Sequence, residues 1–145
     1  MRKAWAPAVA SIYLETWEST IFTQSKLIPL LYVRYIDDIF AIFGTRTDAE
    51  TFANLAQTLD GNIRLSDVSI ASSVHYLDLN ISIGNSYLHY EIYSKPSHLR
   101  VLLDFQSAHS FNLKCNVVLS QLIRIYRLYS DLSKAGEAMN IYLLN

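Results

Sequence analysis

The N-terminal third of the sequence has hydrophobic residues first at helical spacing and then in a dense run. Apolar residues recur every three or four positions after Pro7, which suits the first turn of a helix because its missing N–H costs nothing there. This pattern predicts a helix over 7–22. Residues 30–43 are instead rich in β-branched and aromatic side chains on both sides of Asp37 and Asp38. They predict two buried strands joined by a tight polar turn.

A second helix is predicted from a capping pattern that precedes a hydrophobic stripe. Thr47 and Glu50 have the spacing of a capping box, in which each side chain accepts a hydrogen bond from the backbone N–H of the other residue. Apolar residues at helical spacing follow over 52–59, and Gly61 is available for a left-handed cap at the helix end. A short strand is then predicted over 63–65.

Strict alternation predicts a β-hairpin in the middle of the chain. Over 76–83 every second residue is leucine or isoleucine, and the residues between them are tyrosine or polar. The Gly-Asn-Ser sequence at 84–86 supplies turn chemistry, and residues 87–93 are predicted to return as the second strand. The leucine face is expected to pack on the core, while Asp78 on the polar face is expected to have a structural role.

Two helices are predicted for the last third of the chain. Residues 116–129 share an apolar face at helical spacing, formed by Leu119, Leu122, Ile123 and Tyr126. A further helix is predicted over 132–143, with Gly136 as its weakest point. The break at Lys95-Pro96-Ser97 separates these helices from the hairpin, so the natural subdomain boundary is predicted near Pro96.

The composition is that of one folded domain with a modest core. The chain has 145 residues, of which 51% are hydrophobic, and this excludes an intrinsically disordered protein. Its formal net charge of -1 means that any nucleic-acid-binding surface must be a local basic patch. The candidates for that patch are Lys95, Arg100, Lys114, Arg124, Arg127 and Lys134.

Other classes of site and location are disfavoured by the sequence. Cys115 is the single cysteine, which excludes an internal disulfide and a cysteine-built zinc site and is typical of an intracellular protein. The histidines have no metal-ligand spacing. The most apolar stretch, 27–43, contains Arg34 and both aspartates, so neither a transmembrane helix nor a membrane partner is expected.

The adjacent aspartates are the strongest candidate site. Two neighbouring carboxylates repel each other, and burying them between apolar strands costs several kcal/mol unless a cation compensates the charge. Mg²⁺ prefers hard oxygen ligands and is typically held by one or two carboxylates together with substrate phosphates. Asp37 and Asp38 are therefore candidate magnesium ligands, and an exposed acidic turn is the alternative interpretation.

Motifs along nearly the whole chain resemble those of reverse transcriptases. The turn Tyr35-Ile36-Asp37-Asp38 resembles the Tyr-x-Asp-Asp turn of that family, and residues 2–14 are similar to its loop and helix that contact template and nucleotide. Downstream, Tyr76-Leu77-Asp78-Leu79 and Lys95-Pro96-Ser97 are similar to motifs of the Penelope-like group. The start of that group's thumb resembles Ser107, Ala108, His109, Lys114, Ser120, Gln121, Arg124 and Arg127.

The resemblance implies an α+β fold and a polymerase site. A partial palm is expected over 1–96, made of a helix, the Tyr-x-Asp-Asp hairpin, a second helix and a second hairpin that serves as primer grip. Thumb helices are expected over 97–145. Asp37 and Asp38 are implied to be catalytic and to bind two Mg²⁺ ions in an RNA-directed DNA polymerase. The residues implied to contact substrate or nucleic acid are Tyr35, Trp5, Ala6, Pro7, Lys95, Lys114, Arg124 and Arg127.

The implied partners are an RNA template and a DNA primer, in the nucleus for a mobile element or in the mitochondrion for an organelle gene. Enzymes of the family place a further catalytic aspartate on an earlier palm strand, and no such strand is seen before Pro7. The chain alone is therefore expected to bind Mg²⁺ weakly and to be inactive, unless a partner chain supplies the fingers and the remaining palm. The alternative is a non-catalytic scaffold or RNA-binding subunit of a ribonucleoprotein.

Several residues keep two interpretations. Tyr35 lies either beneath the primer end or incoming nucleotide, or between the strands as a core aromatic. Arg34 is on the opposite face of the strand from Tyr35 and is expected to pair with an acidic neighbour. The basic residues of the last third either contact phosphates, which positions a duplex without reading its sequence, or form a solvated helix face.

Overall fold

The computed structural model describes residues 5–84, 87–93, 103–104 and 106–144, and this part of the chain contains helices and two small antiparallel sheets. In chain order the elements are α1 (Ala6–Ser25), β1 (Leu31–Tyr35), β2 (Asp38–Ile42), α2 (Arg46–Thr58), β3 (Ser73–Tyr76), β4 (Leu79–Ile83), β5 (Leu88–Ile92), α3 (Phe111–Arg127) and α4 (Leu132–Leu144). They belong to two compact units, Met1–Ala71 and Ser72–Asn145. The predicted α+β class is confirmed. The predicted boundary near Pro96 falls outside the described residues and stays a prediction.

Helix α1 closely follows the predicted bounds and supplies half of the core of the first unit. Pro7 lies in its first turn, as expected for a residue without an N–H. The buried core of this unit consists of Trp17 and Ile21 from α1 and Phe52 and Ala56 from α2. On each helix the two residues are four positions apart, which places them on one face.

Strands β1 and β2 form the predicted antiparallel hairpin. Tyr35 pairs with Asp38 at its end, which leaves a two-residue turn between the strands. The hairpin face that carries Tyr32 packs on the core of the first unit, whereas Leu31 and Val33 on the other face are about 40% exposed (40% and 41%). The prediction that both strands are buried is therefore wrong for this outer face, because the described residues of the unit cover the two-stranded sheet on one face.

Helix α2 has the predicted apolar stripe, but it begins earlier than predicted. Its N-cap is Thr45, whose hydroxyl accepts a hydrogen bond from the Asp48 N–H at 3.1 Å. Since the helix begins at Arg46, Thr47 already lies inside it, and Glu50 pairs with Arg46 at 2.8 Å instead of closing a capping box. The cap predicted at Thr47 is therefore wrong by two residues.

The segment after α2 contains neither the predicted cap nor the predicted strand. Leu59 ends the helix in a right-handed conformation, and none of the described glycines has a positive φ, so Gly61 does not form a left-handed cap. Residues 63–65 are not part of a strand. Ile63 and Leu65 pack on the core of the first unit, so their alternation reflects burial of an irregular segment.

The sheet of the second unit is a three-stranded meander in the order β3-β4-β5. The predicted hairpin is confirmed as β4 and β5, although its turn residues 85–86 lie outside the described part of the chain. The strand predicted to begin at 76 is interrupted by a two-residue turn at Leu77 and Asp78, and Tyr76 instead ends β3. Since paired residues share a face, Tyr76 lies on the same face as Leu79, and the prediction that these two side chains face opposite ways is wrong. The hydrophobic pattern does not reveal the turn, because Leu77 within it continues the alternation of Leu79 and Ile81.

Helix α3 differs from its prediction both in its start and in its buried face. It begins five residues earlier than predicted, after Ser110, whose hydroxyl caps the Leu113 N–H at 3.4 Å. The predicted apolar face is mostly exposed, with Leu119 and Tyr126 both above half exposure, and the buried residue is Ile125. Helix α4 forms as predicted. No helix in the described part of the chain combines the length and the hydrophobicity that a membrane span requires.

Candidate metal-binding turn

The turn between β1 and β2 holds a β-branched residue in a backbone conformation that such residues rarely adopt. Ile36 has φ 56°, in the left-handed region. Two-residue hairpin turns normally place glycine, asparagine or aspartate where φ is positive. Holding a non-glycine residue there costs about 1–3 kcal/mol, and such residues are concentrated at functional sites. The surrounding structure must therefore fix this turn.

A cluster of polar side chains under the turn fixes its backbone. Arg34 donates from Nε to Glu18 Oε1 at 2.6 Å and from Nη2 to Glu18 Oε2 at 3.3 Å. A third donor of Arg34, Nη1, reaches the carbonyl oxygen of Ile36 at 3.0 Å. Tyr32 donates its hydroxyl to Glu18 Oε1 at 2.8 Å. We refer to Glu18, Tyr32, Arg34 and the Ile36 carbonyl as the turn clamp.

The turn clamp is well shielded from solvent. The side chains of Arg34 and Glu18 are 15% and 13% exposed. The hydrogen bond to Glu18 raises the pKa of Arg34 further above its usual value, so the guanidinium stays charged. Since Glu18 belongs to α1, the clamp ties the turn to the helix that forms half of the core of the unit. The prediction that Arg34 pairs with an acidic residue is thus confirmed, and the partner is Glu18.

The two aspartates at the turn are exposed to solvent. The argument that burial makes their charges costly is therefore wrong, because the hairpin tip extends from the packed face of its sheet. Among the described residues, the Asp37 side chain has no hydrogen bond or ion pair, so its carboxylate is accessible to a ligand. Asp38 follows it directly as the first residue of β2.

This arrangement fits a magnesium ion bound jointly with substrate. The described part of the chain contains no cluster of three or more histidine, cysteine, aspartate or glutamate residues. Mg²⁺ in nucleotide-handling sites is commonly held by one or two carboxylates, the remaining positions being filled by phosphates and water. Asp37 and Asp38 are the two adjacent carboxylates that such a site would require from the protein.

The outer face of the hairpin places an aromatic side chain beside the aspartates. Tyr35 is 58% exposed, and its pairing with Asp38 puts the two side chains on the same face of the sheet. Tyr35 is thus not a core aromatic in the first unit. Leu31 and Val33 continue this face as an exposed apolar strip.

The other candidate contacts are not gathered around the turn clamp. Trp5, Ala6 and Pro7 are exposed at the start of α1. The helical rise of about 1.5 Å per residue puts Pro7 about 17 Å along the axis from Glu18. Their implied contact with template or nucleotide stays a prediction.

The basic candidates of the second unit have internal partners or lie outside the described residues. The Lys114 ammonium donates to the Ser107 carbonyl at 2.7 Å. Arg124 forms an ion pair with Asp78, with Nη2 2.7 Å from Oδ2. Arg127 is exposed near the end of α3, and Lys95 falls outside the described part of the chain. The expected structural role of Asp78 agrees with its ion pair.

Sequence reasoning missed Glu18 and Tyr32 as members of the site. Glu18 follows the buried Trp17 and lies one helical turn before the buried Ile21, so it is an acidic residue beside the apolar face of α1. An acidic residue in that position needs a cationic partner, and Arg34 is the one cation in the apolar pattern that predicts strands β1 and β2. That combination is the signal available from the sequence.

Comparisons of the chain with protein-family models, with curated proteins and with solved structures find no match. The resemblance to reverse transcriptases therefore depends on the sequence motifs, and what the chain does has to be argued from the geometry of the turn.

Proposed function

We propose that this chain is part of an RNA-directed DNA polymerase of Penelope-like type, with Asp37 and Asp38 as magnesium ligands at the tip of the β1–β2 hairpin. The observation that supports this most strongly is the turn clamp. A strained residue and a shielded ion pair are both used to hold a turn whose carboxylates are exposed. Strain alone does not distinguish this turn, because Leu77 in the second unit also has a positive φ; what is particular here is that the arginine holds the backbone and leaves the Asp37 carboxylate without a partner among the described residues.

The proposed reaction is the extension of a DNA primer on an RNA template. Bound Mg²⁺ supplies activation of the primer 3′-hydroxyl and charge stabilisation of the leaving pyrophosphate. Asp37 is the principal ligand, because its carboxylate is exposed and has no partner among the described residues. Asp38 is the secondary ligand, and Tyr35 on the same face contacts the primer end or the incoming nucleotide.

The remaining catalytic parts are proposed to come from sequence or chains beyond those described. The exposed apolar strip at Leu31 and Val33 supports this, because large apolar side chains on one sheet face commonly mark a contact with other structure. Without the further palm aspartate that the family resemblance implies, we expect the isolated chain to incorporate no nucleotide. Robust incorporation by the isolated chain is the result that contradicts this expectation.

The experiment that tests the function is Asp37→Asn in the complete polymerase that contains this chain. Primer extension on an RNA template should fall by at least about a hundredfold, because the variant keeps the shape of the turn and removes a metal-binding charge. Asp78→Asn is the matched control, since Asp78 lies in a turn of similar sequence but is paired with Arg124. Unchanged extension by Asp37→Asn rejects the metal-ligand assignment.

A non-catalytic scaffold or RNA-binding subunit is the second candidate. It is favoured by the internal engagement of Lys114 and Arg124, which leaves less free positive charge for a primer–template duplex. In that case the chain copurifies with a stable ribonucleoprotein, and Asp37→Asn changes neither its assembly nor any extension activity.

A further inference from the structure

The hydrogen bond from Arg34 to the Ile36 carbonyl controls one specific element of the turn. That carbonyl belongs to the peptide between Ile36 and Asp37, the two turn residues. β-Turn types that share the same ends differ in the orientation of this central peptide. Rotating it changes the φ of Asp37 and hence the direction of the Asp37 side chain. A donor held at this oxygen therefore selects one orientation of the carboxylate.

We propose that Arg34, oriented by Glu18, is a positioning residue that holds Asp37 in the direction required for metal binding. The proposal rests on the proposed function. Its geometric basis is that one guanidinium spans the Glu18 carboxylate and the turn carbonyl at hydrogen-bond distance. Arginine suits this role because its donors are fixed in one plane, whereas a lysine ammonium has no such fork.

The second unit offers a comparison within the same molecule. Its turn at Leu77 and Asp78 also follows a tyrosine and also has an aliphatic residue at positive φ, 53°. There the arginine contacts the aspartate itself, since Arg124 pairs with the Asp78 carboxylate. In the first unit the arginine holds the turn backbone, and the Asp37 carboxylate has no partner among the described residues, whereas the exposed Asp78 (69%) is paired. In both turns the first residue has a positive φ, and the turns differ in the group that the arginine contacts.

Mn²⁺ is the probe for the test, because its paramagnetism broadens the NMR signals of nearby residues even when binding is weak. The 145-residue chain is titrated with Mn²⁺ as the wild type, Asp37→Asn, Arg34→Gln and the double variant Arg34→Gln/Ile36→Gly. The orientation of the central peptide is followed by the intraresidue Hα–HN NOE of Asp37, which is weak at its negative φ and becomes strong if the peptide rotates and this φ turns positive. Arg46→Gln is the matched control, because it removes an arginine from an exposed pair in the same unit.

The expected result has four parts, one for each variant. Broadening around 35–38 in the wild type is lost in Asp37→Asn. Arg34→Gln strengthens the Asp37 NOE and weakens Mn²⁺ binding about tenfold, the size of effect that partners of metal ligands commonly show. Adding Ile36→Gly restores much of the binding, because a two-residue turn with positive φ only at its first residue favours glycine at that position and so keeps the peptide orientation without Arg34. Arg46→Gln leaves all of these signals unchanged.

The rescue by glycine separates positioning from a general structural role. If Arg34 acted only by linking α1 to the hairpin, Ile36→Gly would restore nothing, and that outcome overturns the proposal. An unchanged Asp37 NOE and unchanged Mn²⁺ binding in folded Arg34→Gln overturn it as well. If Arg34→Gln does not fold, Arg34→Lys keeps a cation opposite Glu18 and is subject to the same criteria. Absence of broadening in the wild type contradicts the proposed function instead, and the Asp37 NOE then decides the conformational part separately.

Discussion

The ion pair between Glu18 and Arg34 should contribute far more to stability than a surface pair. Most exposed pairs contribute 0–1 kcal/mol, because solvent screens them and both side chains lose freedom. Here the side chains are 15% and 13% exposed, and two donors of one arginine face the two carboxylate oxygens. Unit charges about 4 Å apart attract by about 4 kcal/mol at an effective dielectric constant near 20. We therefore expect a coupling free energy of about 2–3 kcal/mol.

The perturbation is a double-mutant cycle with Glu18→Ala, Arg34→Ala and the double variant. Each single change should lower the free energy of unfolding by about 3 kcal/mol, because it leaves a shielded charge without its partner. For a unit of this size, expected to be stable by roughly 4–10 kcal/mol, such a loss lowers Tm by about 10–20 °C. The double variant should be little worse than either single change.

The assay is urea unfolding of the full chain, followed by tryptophan fluorescence. Both tryptophans, Trp5 and Trp17, belong to the first unit, and Trp17 is 5% exposed in its core, so the signal reports on this unit. The same cycle on Arg46 and Glu50 is the control, since that pair is exposed (74% and 49%) and should couple by less than about 0.5 kcal/mol. Equal couplings for the two pairs refute the reasoning.

Two further predictions concern the same unit. Ile21→Ala should lower the free energy of unfolding by about 3 kcal/mol, because Ile21 is fully buried. Ile28→Ala, at a position that is 91% exposed, should change it by less than about 0.5 kcal/mol. Similar losses for the two variants in urea unfolding contradict the assigned core. The hydroxyl of Tyr13 donates to Asp60, and this hydrogen bond lowers the pKa of the Asp60 carboxyl. The contact therefore stabilises the fold at pH values above the usual carboxyl pKa, and this stabilisation is lost as the pH falls through the lowered pKa. Tyr13→Phe should bring the NMR-measured pKa of Asp60 back towards its usual value and reduce the loss of stability in acid; an unchanged Asp60 titration contradicts the contact.

Elements with a strong local signal were predictable from the sequence. Helices α1 and α4 and the hairpins β1–β2 and β4–β5 depend on local periodicity and turn chemistry, and both are visible in a window of a few residues. The errors occur where two local signals compete. Thr45 and Thr47 can each cap a helix, and the choice depends on where α2 packs rather than on the cap itself.

The buried face of α3 was not predictable, because apolar residues occur on more than one face of this helix and hydrophobic spacing does not choose between the faces. Leu119 and Tyr126 are apolar yet exposed, while the neighbouring Ile125 is buried. Arg124 reaches Asp78 across 46 positions of sequence. Such a contact depends on the packing of helix and sheet within the second unit, and hydrophobic spacing within one helix contains no information about it.

The two aspartate turns show why a motif alone does not identify a site. Tyr35-Ile36-Asp37 and Tyr76-Leu77-Asp78 have nearly the same sequence, and both place an aliphatic residue at positive φ before the aspartate. Part of their chemical difference is local, since Arg34 and Asp38 flank the first turn where His75 and Leu79 flank the second, and part is distant, since Arg124 reaches Asp78 across 46 positions. Where an arginine holds the turn carbonyl, the carboxylate next to it has no partner among the described residues and a second carboxylate follows. Where an arginine pairs with the carboxylate, a cation already neutralises it, and the next residue is Leu79, so the second turn cannot offer a metal ion two adjacent charges.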